Sequence, residues 1–278
     1  MVLKQGDTGD PVKAVQRSLN KLGAMLLVDG KFGSGTTDAV VDARAALQLP
    51  GPSVADDELV ARLAAVPDLF PPLTAAGVTF IARLEVTSAA AYRQKYKVPT
   101  WPSEESGITI GIGYDCQFVK PAQFRLDWSA VLPADVVERL VPVLGVVGSQ
   151  ERLTSVSSVV VPLPAAVTVF ATSSLRRCLD DTRRIYPQVD TLDPSRRTAL
   201  LSLVYNRGTR LTDKEPREER REMRAIQELL SANRLDEIPT QFESMTRLWD
   251  PAKLAGLIDR RRTEATLWRS GFAVLQLE

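Results

Sequence analysis

Residues 106–116 read SGITIGIGYDC, a run of β-branched residues that is broken by two glycines and closed by an aspartate. The alternation is typical of a strand with one buried face, and we predict that Ile108, Ile110 and Ile112 are buried. Glycines inside a strand pattern indicate a bend or a close approach of the backbone. The stretch therefore predicts a small β-hairpin.

Helical patterns lie on both sides of this stretch. The apolar residues of GVTFIARLEV (77–86) predict a helix that carries Glu85 among apolar neighbours, where burial would raise the pKa of its carboxyl group. Within DPSRRTALLSLVYNRG, Asp193 is predicted to cap a helix that Pro194 opens and Gly208 ends. The chain is thus expected to be mainly α-helical, in an α+β arrangement with the hairpin.

Two further helices are predicted near the carboxyl terminus. The charged stretch DKEPREERREMRAIQELL (213–230) is interpreted as a solvated helix face. The last helix, KLAGLIDRRRTEATLWRSG, is expected to end at Gly271.

Composition excludes several classes of function. The 278 residues include 35 Lys and Arg against 34 acidic residues, so no strong electrostatic case exists for nucleic acid or a membrane surface. The absence of histidine excludes His-based catalysis and the usual zinc sites. Cys116 and Cys178 are interpreted as ordinary thiols. We expect no cofactor and no metal, and carboxylates are the leading catalytic candidates.

The first residues carry the punctuation of a small helical bundle. In LKQGDTGDPVKAVQRSLNKLG (3–23), Asp10 is predicted to cap a helix that Gly23 ends. In VDGKFGSGTTDAV (28–40), a tight loop precedes residues 34–37, which offer caps for a second helix. A third short helix is predicted to end near Pro67. Three helices in about 65 residues lie near the lower size limit for independent folding.

These patterns resemble the peptidoglycan-binding repeat of cell-wall hydrolases. The matching features are a Gly-x-x-Gly entry, a Val-x-x-x-Gln-x-x-Leu helix and an Asp-Gly-x-Phe-Gly-x-x-Thr loop. The resemblance covers residues 2 to about 65 and implies binding to the cell wall. The glycines and Phe32 are interpreted singly as turn residues and a core anchor. The sequence PGPSVADDELV departs from the family, which usually repeats Asp-Gly-x-x-Gly there.

Prolines at positions 67, 71 and 72 predict a stiff, extended linker after the bundle. We therefore expect a peptidoglycan-binding three-helix domain at 1–66, a proline-rich linker at 67–73 and a catalytic domain at 74–278. The bundle would act as a tether that raises the local concentration of the enzyme at the wall.

Four motifs in the second part of the chain occur in a characteristic order. Glu85 at a helix end is followed by SGITIGIGYD, by ALLSLVYNRG and by RLWDPAKLAGLIDRRRTEATLW. This series resembles the phage-type lysozymes over residues 78 to about 270. The resemblance implies a lysozyme-like helical domain with a small β-hairpin lobe and muramidase activity.

Departures from the common pattern point to one variant. Residues 86–108 lack the aspartate that usually follows the catalytic glutamate, and Tyr114 replaces the usual histidine. The pattern is most similar to the lysozyme domain of the bacteriocin pesticin. That resemblance implies Glu85 as general acid, Asp115 as the carboxylate that activates water, and Thr109 as the residue that orients this water.

The implied mechanism is inverting, which requires carboxyl groups roughly 6.5–9.5 Å apart. An uninterrupted strand from Thr109 to Asp115 would span about 20 Å at roughly 3.3 Å per residue. Both side chains can serve one site only if the chain turns, for which Gly111 and Gly113 are suited. Glu104 and Glu105 are rival bases, although WPSEESG is interpreted first as an exposed turn. Candidate substrate-binding residues are Tyr92, Tyr96, Trp101, Tyr114, Asn206 and Arg207, the first three of which could equally be packing residues.

The sequence therefore predicts a muramidase that cleaves the β-1,4 bond between N-acetylmuramic acid and N-acetylglucosamine. The alternatives are a lytic transglycosylase that uses Glu85 alone and a non-catalytic wall-binding protein. Expected partners are bacterial peptidoglycan and, for a bacteriocin, an immunity protein; nucleic acid and membrane insertion are not expected, and the chain is expected to be a monomer. The opening MVLKQGDTGD lacks a leader pattern, so delivery to the wall is expected to be independent of a signal peptide.

Overall fold

Helices dominate the chain. The computed structural model describes residues 2–213 and 218–278. Within these residues, sheet structure amounts to one antiparallel pair of strands. The predicted fold class, mainly α with a small β-hairpin, is confirmed.

The elements are, in chain order, α1 Asp10–Asn20, α2 Ser34–Ala46, α3 Asp57–Ala64, α4 Ala75–Val86, α5 Ala89–Lys95, β1 Thr109–Ile110, β2 Tyr114–Asp115, α6 Pro121–Trp128, α7 Ala134–Leu140, α8 Gln150–Ser155, α9 Leu163–Val169, α10 Arg176–Ile185, α11 Pro194–Arg207, α12 Arg221–Ser231, α13 Ile238–Ser244 and α14 Pro251–Ser270. They form two compact units, Met1–Ser174 and Leu175–Glu278. The first unit passes into the second within a π-helical segment, Phe170–Leu175. The boundary between these units does not coincide with the predicted domain limits at residues 66 and 74, which stay a prediction.

The three predicted helices of the amino-terminal bundle are present as α1, α2 and α3, and their apolar faces share one core. The predicted caps of α1 and α2 were wrong. Gly9, with φ 106°, precedes α1, and the Asp10 side chain forms no cap bond. Gly33 precedes α2, and no side chain caps that helix. A glycine can enter a helix from a backbone conformation that Ser or Asp rarely adopts, which explains the shift at Gly9.

The loop motif of the bundle is held together by Gln16, which is buried. Its amide nitrogen donates to Asp29 Oδ1 at 2.8 Å and to the Lys31 carbonyl at 3.1 Å, and its oxygen accepts from the Gly30 amide at 2.9 Å. Gly30 has φ 71° and Phe32 is buried in the bundle core. The interpretation of Gly30 as a turn residue and of Phe32 as a core anchor is confirmed.

Residues 67–73 form a packed turn rather than an extended linker. Phe70 and Leu73 are buried, and the Leu73 amide donates to the Phe70 carbonyl at 2.8 Å. The Asp68 carboxylate accepts from the Ala75 amide at the start of α4. The predicted extended backbone was wrong because two apolar side chains between the prolines anchor the segment in the core.

The bundle packs directly against the following helices of its own unit. Arg83 of α4 donates to the Met25 carbonyl at 3.1 Å, and Arg93 of α5 donates to Asp42 of α2 at 2.7 Å. Gly23 lies so close to α9 that a Cβ there would be 2.8 Å from the Cβ of Val167. The bundle is therefore a docked part of the unit, and the tether predicted from the prolines is not observed.

The hairpin also packs against α9. A Cβ on Gly111 would lie 3.4 Å from the Cβ of Ala166, the residue before Val167. The predicted burial of Ile108, Ile110 and Ile112 is confirmed. Helix α9 is thus shared by the bundle and the hairpin.

The helices of the second unit follow the end signals in the sequence. Asp193 caps α11 through the amides of residues 195 and 196, and Gly208 follows its last turn. Gly271 ends α14 as predicted. These three local predictions are confirmed.

The charged stretch 213–230 is only partly solvated. Residues 214–217 lie outside the described part of the chain, and α12 begins at Arg221. Glu222 is 1% exposed and accepts hydrogen bonds from Arg247 and Ser244. The interpretation as a solvated face was wrong for Glu222, because its carboxylate accepts hydrogen bonds from Arg247 and Ser244 in place of water.

Candidate functional site

Thr109 and Asp115 lie directly opposite each other across the hairpin. The Thr109 backbone is bonded to Thr100 in both directions, at 2.8 and 2.9 Å, and the Cys116 amide donates to the Ile108 carbonyl. Thr109 and Asp115 therefore form a non-hydrogen-bonded pair, in which the side chains share one face and the Cα atoms are about 4.5 Å apart. The two residues are adjacent, as a common site requires.

The turn that brings this pair together is built by Gly111 and Gly113. Their φ angles are 59° and 65°, in the left-handed region that side chains with a Cβ rarely adopt. Ile112 between them is buried and anchors the turn. The predicted bend at these two glycines is confirmed.

The Asp115 carboxylate is fixed by backbone amides. Its Oδ1 accepts from Gln117 at 2.9 Å and from Gly107 at 3.1 Å, and among the described residues Oδ2 accepts only from Gly107, at 3.3 Å. A Cβ on residue 107 would lie 2.3 Å from Oδ1, so only glycine fits there. Sequence analysis missed Gly107. The available signal was Asp115 itself, because an aspartate side chain often accepts a hydrogen bond from the backbone amide two residues later and so closes a turn.

The hydroxyl group of Thr109 is available beside this carboxylate. Thr109 is half-buried, and its Oγ1 forms no hydrogen bond within residues 2–213 and 218–278. A donor and acceptor of this kind next to a fixed carboxylate can hold a water molecule between them.

Glu85 lies in the last turn of α4 and is half-buried. Thr87, with φ 67°, ends the helix just beyond it. The predicted apolar neighbours Val78, Phe80 and Ile81 are buried. Glu85 therefore lies at the end of a helix whose neighbouring apolar residues belong to the core.

The rival bases differ from Asp115 in their surroundings. Glu104 and Glu105 are exposed and lie in a turn that Ser103 and Ser106 close through hydrogen bonds. The interpretation of this segment as an exposed turn is confirmed. A fully solvated carboxylate has no fixed direction, whereas the Asp115 carboxylate has one.

Two tyrosines predicted to bind substrate are core residues. Tyr92 is 0% exposed, and its hydroxyl group donates to the Val161 carbonyl at 2.9 Å. Tyr114 is 4% exposed and donates to Asp127 at 2.7 Å, with its ring edge-on to Trp128 at 5.3 Å. The predicted sugar contacts are wrong for both rings, because neither has the exposed face on which a sugar could lie.

Tyr96 and Trp101 keep part of their side-chain surface exposed to solvent. Both are half-buried. The indole nitrogen of Trp101 is buried and has no hydrogen-bond partner among the described residues, and the ring edge lies against Gly148. Their role in substrate binding stays a prediction.

Asn206 and Arg207 occupy the last turn of α11 in the second unit. Asn206 is exposed, whereas Arg207 is half-buried, donates to the Glu219 carbonyl at 2.9 Å and lies over the Trp249 ring at 5.3 Å. Burial, and next the charge of Arg220, lowers the pKa of Arg207. Their predicted role in supporting a cleft stays a prediction.

The closing motif of the chain forms a buried ionic cluster, which sequence analysis did not foresee. Glu264 is fully buried and accepts from Ser202 at 2.6 Å, from Arg261 at 2.8 Å and from Arg260 at 3.3 Å. Burial raises the pKa of Glu264 and lowers that of Arg261 to about 10. The i, i+3 and i+4 spacing of these charges in the motif was the available signal.

The structure also bears on the cysteine thiols, on potential metal ligands and on membrane-spanning helices. The Cys116 thiol is buried, and burial followed by the charge of Asp115 raises its pKa to about 12, so it is not an activated nucleophile. No group of three or more potential metal ligands occurs in the described part of the chain. Among residues 2–213 and 218–278, no helix is both long and apolar enough to cross a membrane.

Comparison with known proteins bears on the amino-terminal bundle. No curated protein matches the chain. Residues 8–63 match the family model described as a putative peptidoglycan binding domain. The peptidoglycan-binding domain that the sequence predicted is confirmed for these residues, and it indicates association with the bacterial cell wall.

Proposed function

We propose that the chain is a peptidoglycan hydrolase, a muramidase that cleaves the β-1,4 bond between N-acetylmuramic acid and N-acetylglucosamine. The observation that carries the proposal is the Thr109–Asp115 pair on one face of the hairpin. Backbone hydrogen bonds fix the Asp115 carboxylate, and the neighbouring Thr109 hydroxyl group has no hydrogen-bond partner among the described residues. The order of motifs around Glu85 supports the same activity.

The proposed chemistry needs two carboxyl groups with different roles. Asp115 accepts a proton from a water molecule that Thr109 orients, and the water oxygen attacks the anomeric carbon. Glu85 donates its proton to the departing glycosidic oxygen. In this scheme the anomeric configuration is inverted.

The docked bundle supports a role on the wall. A peptidoglycan-binding domain held against α4, α5 and α9 presents the polymer at a constant position relative to Glu85. The gain over a free catalytic domain then comes from orientation as well as from local concentration.

Digestion of purified peptidoglycan tests the proposal. We expect Glu85→Gln and Asp115→Asn to lower the rate at which reducing ends appear by at least about 100-fold, the usual scale for a lost acid or base. The matched control is Glu105→Gln, which changes an exposed carboxylate in the neighbouring turn and should leave the rate near that of the wild type. A large loss in Glu105→Gln with none in Asp115→Asn would reverse the assignment of the base.

A second candidate, a non-catalytic wall-binding protein, is favoured by the hydrogen bonds of Asp115, since a turn cap explains this residue without catalysis. Wild-type protein that binds peptidoglycan but releases no fragments would support that candidate.

Mass spectrometry of the released fragments separates hydrolysis from lytic transglycosylation, because anhydro-sugar ends as the main product would rule out hydrolysis.

A further inference from the structure

A cleft of about 250 Å³ opens where the bundle meets the end of α4 and the start of α5. The bundle contributes Gln16, Asp29, Lys31 and Thr36 to its lining, and the following helices contribute Arg83 and Ser88. This volume is slightly below the roughly 300–1,000 Å³ of pockets for drug-sized ligands. It therefore suits one or two residues of a peptide.

Two cationic side chains in this cleft have unused hydrogen-bonding capacity. Arg83 uses one nitrogen for the Met25 carbonyl, and its other donors have no partner within the described residues. The Lys31 ammonium group likewise forms no ion pair or hydrogen bond there. Burial lowers the pKa of Arg83, so an anion that replaces lost water would stabilise its charge.

The cleft also offers an acceptor of the opposite charge. Asp29 Oδ1 is occupied by Gln16 and by the Lys31 amide, whereas Oδ2 has no partner among the described residues. The cleft is thus lined by a cation from each side, and the bundle side also carries a carboxylate oxygen that has no partner among the described residues. A ligand with both a carboxylate and an ammonium group would satisfy both.

We infer that this cleft binds a short segment of the peptide stem of peptidoglycan through a free carboxylate held by Arg83 and Lys31. The inference deepens the proposed function and rests on it for the substrate. Arg83 and Glu85 both lie in the last turn of α4, although side chains two residues apart leave a helix in different directions. A stem seated here would therefore lie at the same end of α4 as Glu85.

Calorimetric titration of the full chain with the tetrapeptide L-alanyl-γ-D-glutamyl-meso-diaminopimelyl-D-alanine tests the inference. We expect saturable binding by the wild type and about tenfold weaker binding by Lys31→Gln, the scale of one charge-assisted hydrogen bond. Lys4→Gln, which changes an exposed lysine of the bundle outside the cleft, should bind like the wild type. Arg83→Gln, with its fold checked by circular dichroism, should also bind more weakly.

Digestion rates supply the second readout. Lys31→Gln should digest intact peptidoglycan more slowly than Lys4→Gln, and this difference between the two variants should shrink when peptide-stripped glycan strands are the substrate. Absence of saturable binding by the wild type would overturn the inference, as would equal affinities of Lys31→Gln, Arg83→Gln and wild type. Tetrapeptide binding in a protein that digests nothing would overturn the proposed function alone.

Discussion

Asp115 has a structural role in the hairpin and a proposed catalytic role, and together they restrict which residues can replace it. Its carboxylate closes the turn after β2 through three backbone hydrogen bonds, and the same bonds orient it for the proposed activation of water. The arrangement depends on Gly107, where any Cβ would meet Oδ1 at 2.3 Å. The requirement for glycine at this position is therefore steric.

Gly107→Ala should destabilise the hairpin. The added carbon would also lie 2.6 Å from the Gln117 amide nitrogen, so the backbone must shift, at a cost of about 1–3 kcal/mol. Thermal unfolding followed by calorimetry measures the change. Gly256→Ala is the control, because nothing lies within 4 Å of that position in α14. Equal melting temperatures for both variants would contradict the steric argument.

Aromatic residues show how far single residues could be assigned from the sequence. Tyr92, Tyr96, Trp101 and Tyr114 were all plausible sugar platforms, and the sequence does not show which rings keep an exposed face. Tyr92 is buried because its hydroxyl group meets the Val161 carbonyl, which is 69 positions away in the chain. Such long-range partners cannot be found from local pattern.

At the scale of elements, α11 and α14 share the buried cluster of Ser202, Arg260, Arg261 and Glu264. The negative charge of Glu264 lies beside the positive charges of two buried guanidinium groups, those of Arg260 and Arg261. Removing a charge from such a set leaves the others without compensation in a medium of low polarity.

Glu264→Gln should therefore lower the free energy of unfolding by about 3–5 kcal/mol. Urea denaturation measures this value. The matched control is Glu237→Gln, which removes an exposed glutamate that Arg234 binds with two nitrogens and should cost at most about 1 kcal/mol. A small effect of Glu264→Gln would mean that the cluster contributes little to stability.

The ends of α11 and α14 were among the most predictable parts of the fold, whereas the caps of α1 and α2 were predicted wrongly. The signals Asp193, Pro194 and Gly208 act within a few residues of α11, so they could be interpreted without tertiary structure. The glycines of the hairpin are equally local. By contrast, the turn at residues 67–73 depends on the burial of Phe70 and Leu73, which the prolines around them concealed.

At the scale of the molecule, the docking of the bundle was the main feature that the sequence did not predict. It depends on Arg83 with Met25 and on Arg93 with Asp42, pairs that are 58 and 51 positions apart. Neither pair belongs to a recognisable motif. A family match to residues 8–63 likewise describes the bundle alone.

Deletion of residues 1–66 should lower the melting temperature of the remainder, because the faces of α4, α5 and α9 that contact the bundle become exposed. We expect increased binding of an apolar dye together with a shift of several degrees, the scale of a few kcal/mol. Differential scanning calorimetry of the truncated and full chains gives the comparison. An unchanged transition would mean that the bundle behaves as an independent tether.

The position of Gly23 against Val167 has a consequence for how such chains are recombined. Wall-binding modules are often treated as interchangeable cassettes that can be joined by any linker. Here an exchanged module would have to bring its own glycine at the contact with α9 and its own acidic partners for Arg93. Grafts made at residue 66 should therefore fail more often than grafts that carry the whole segment through residue 174.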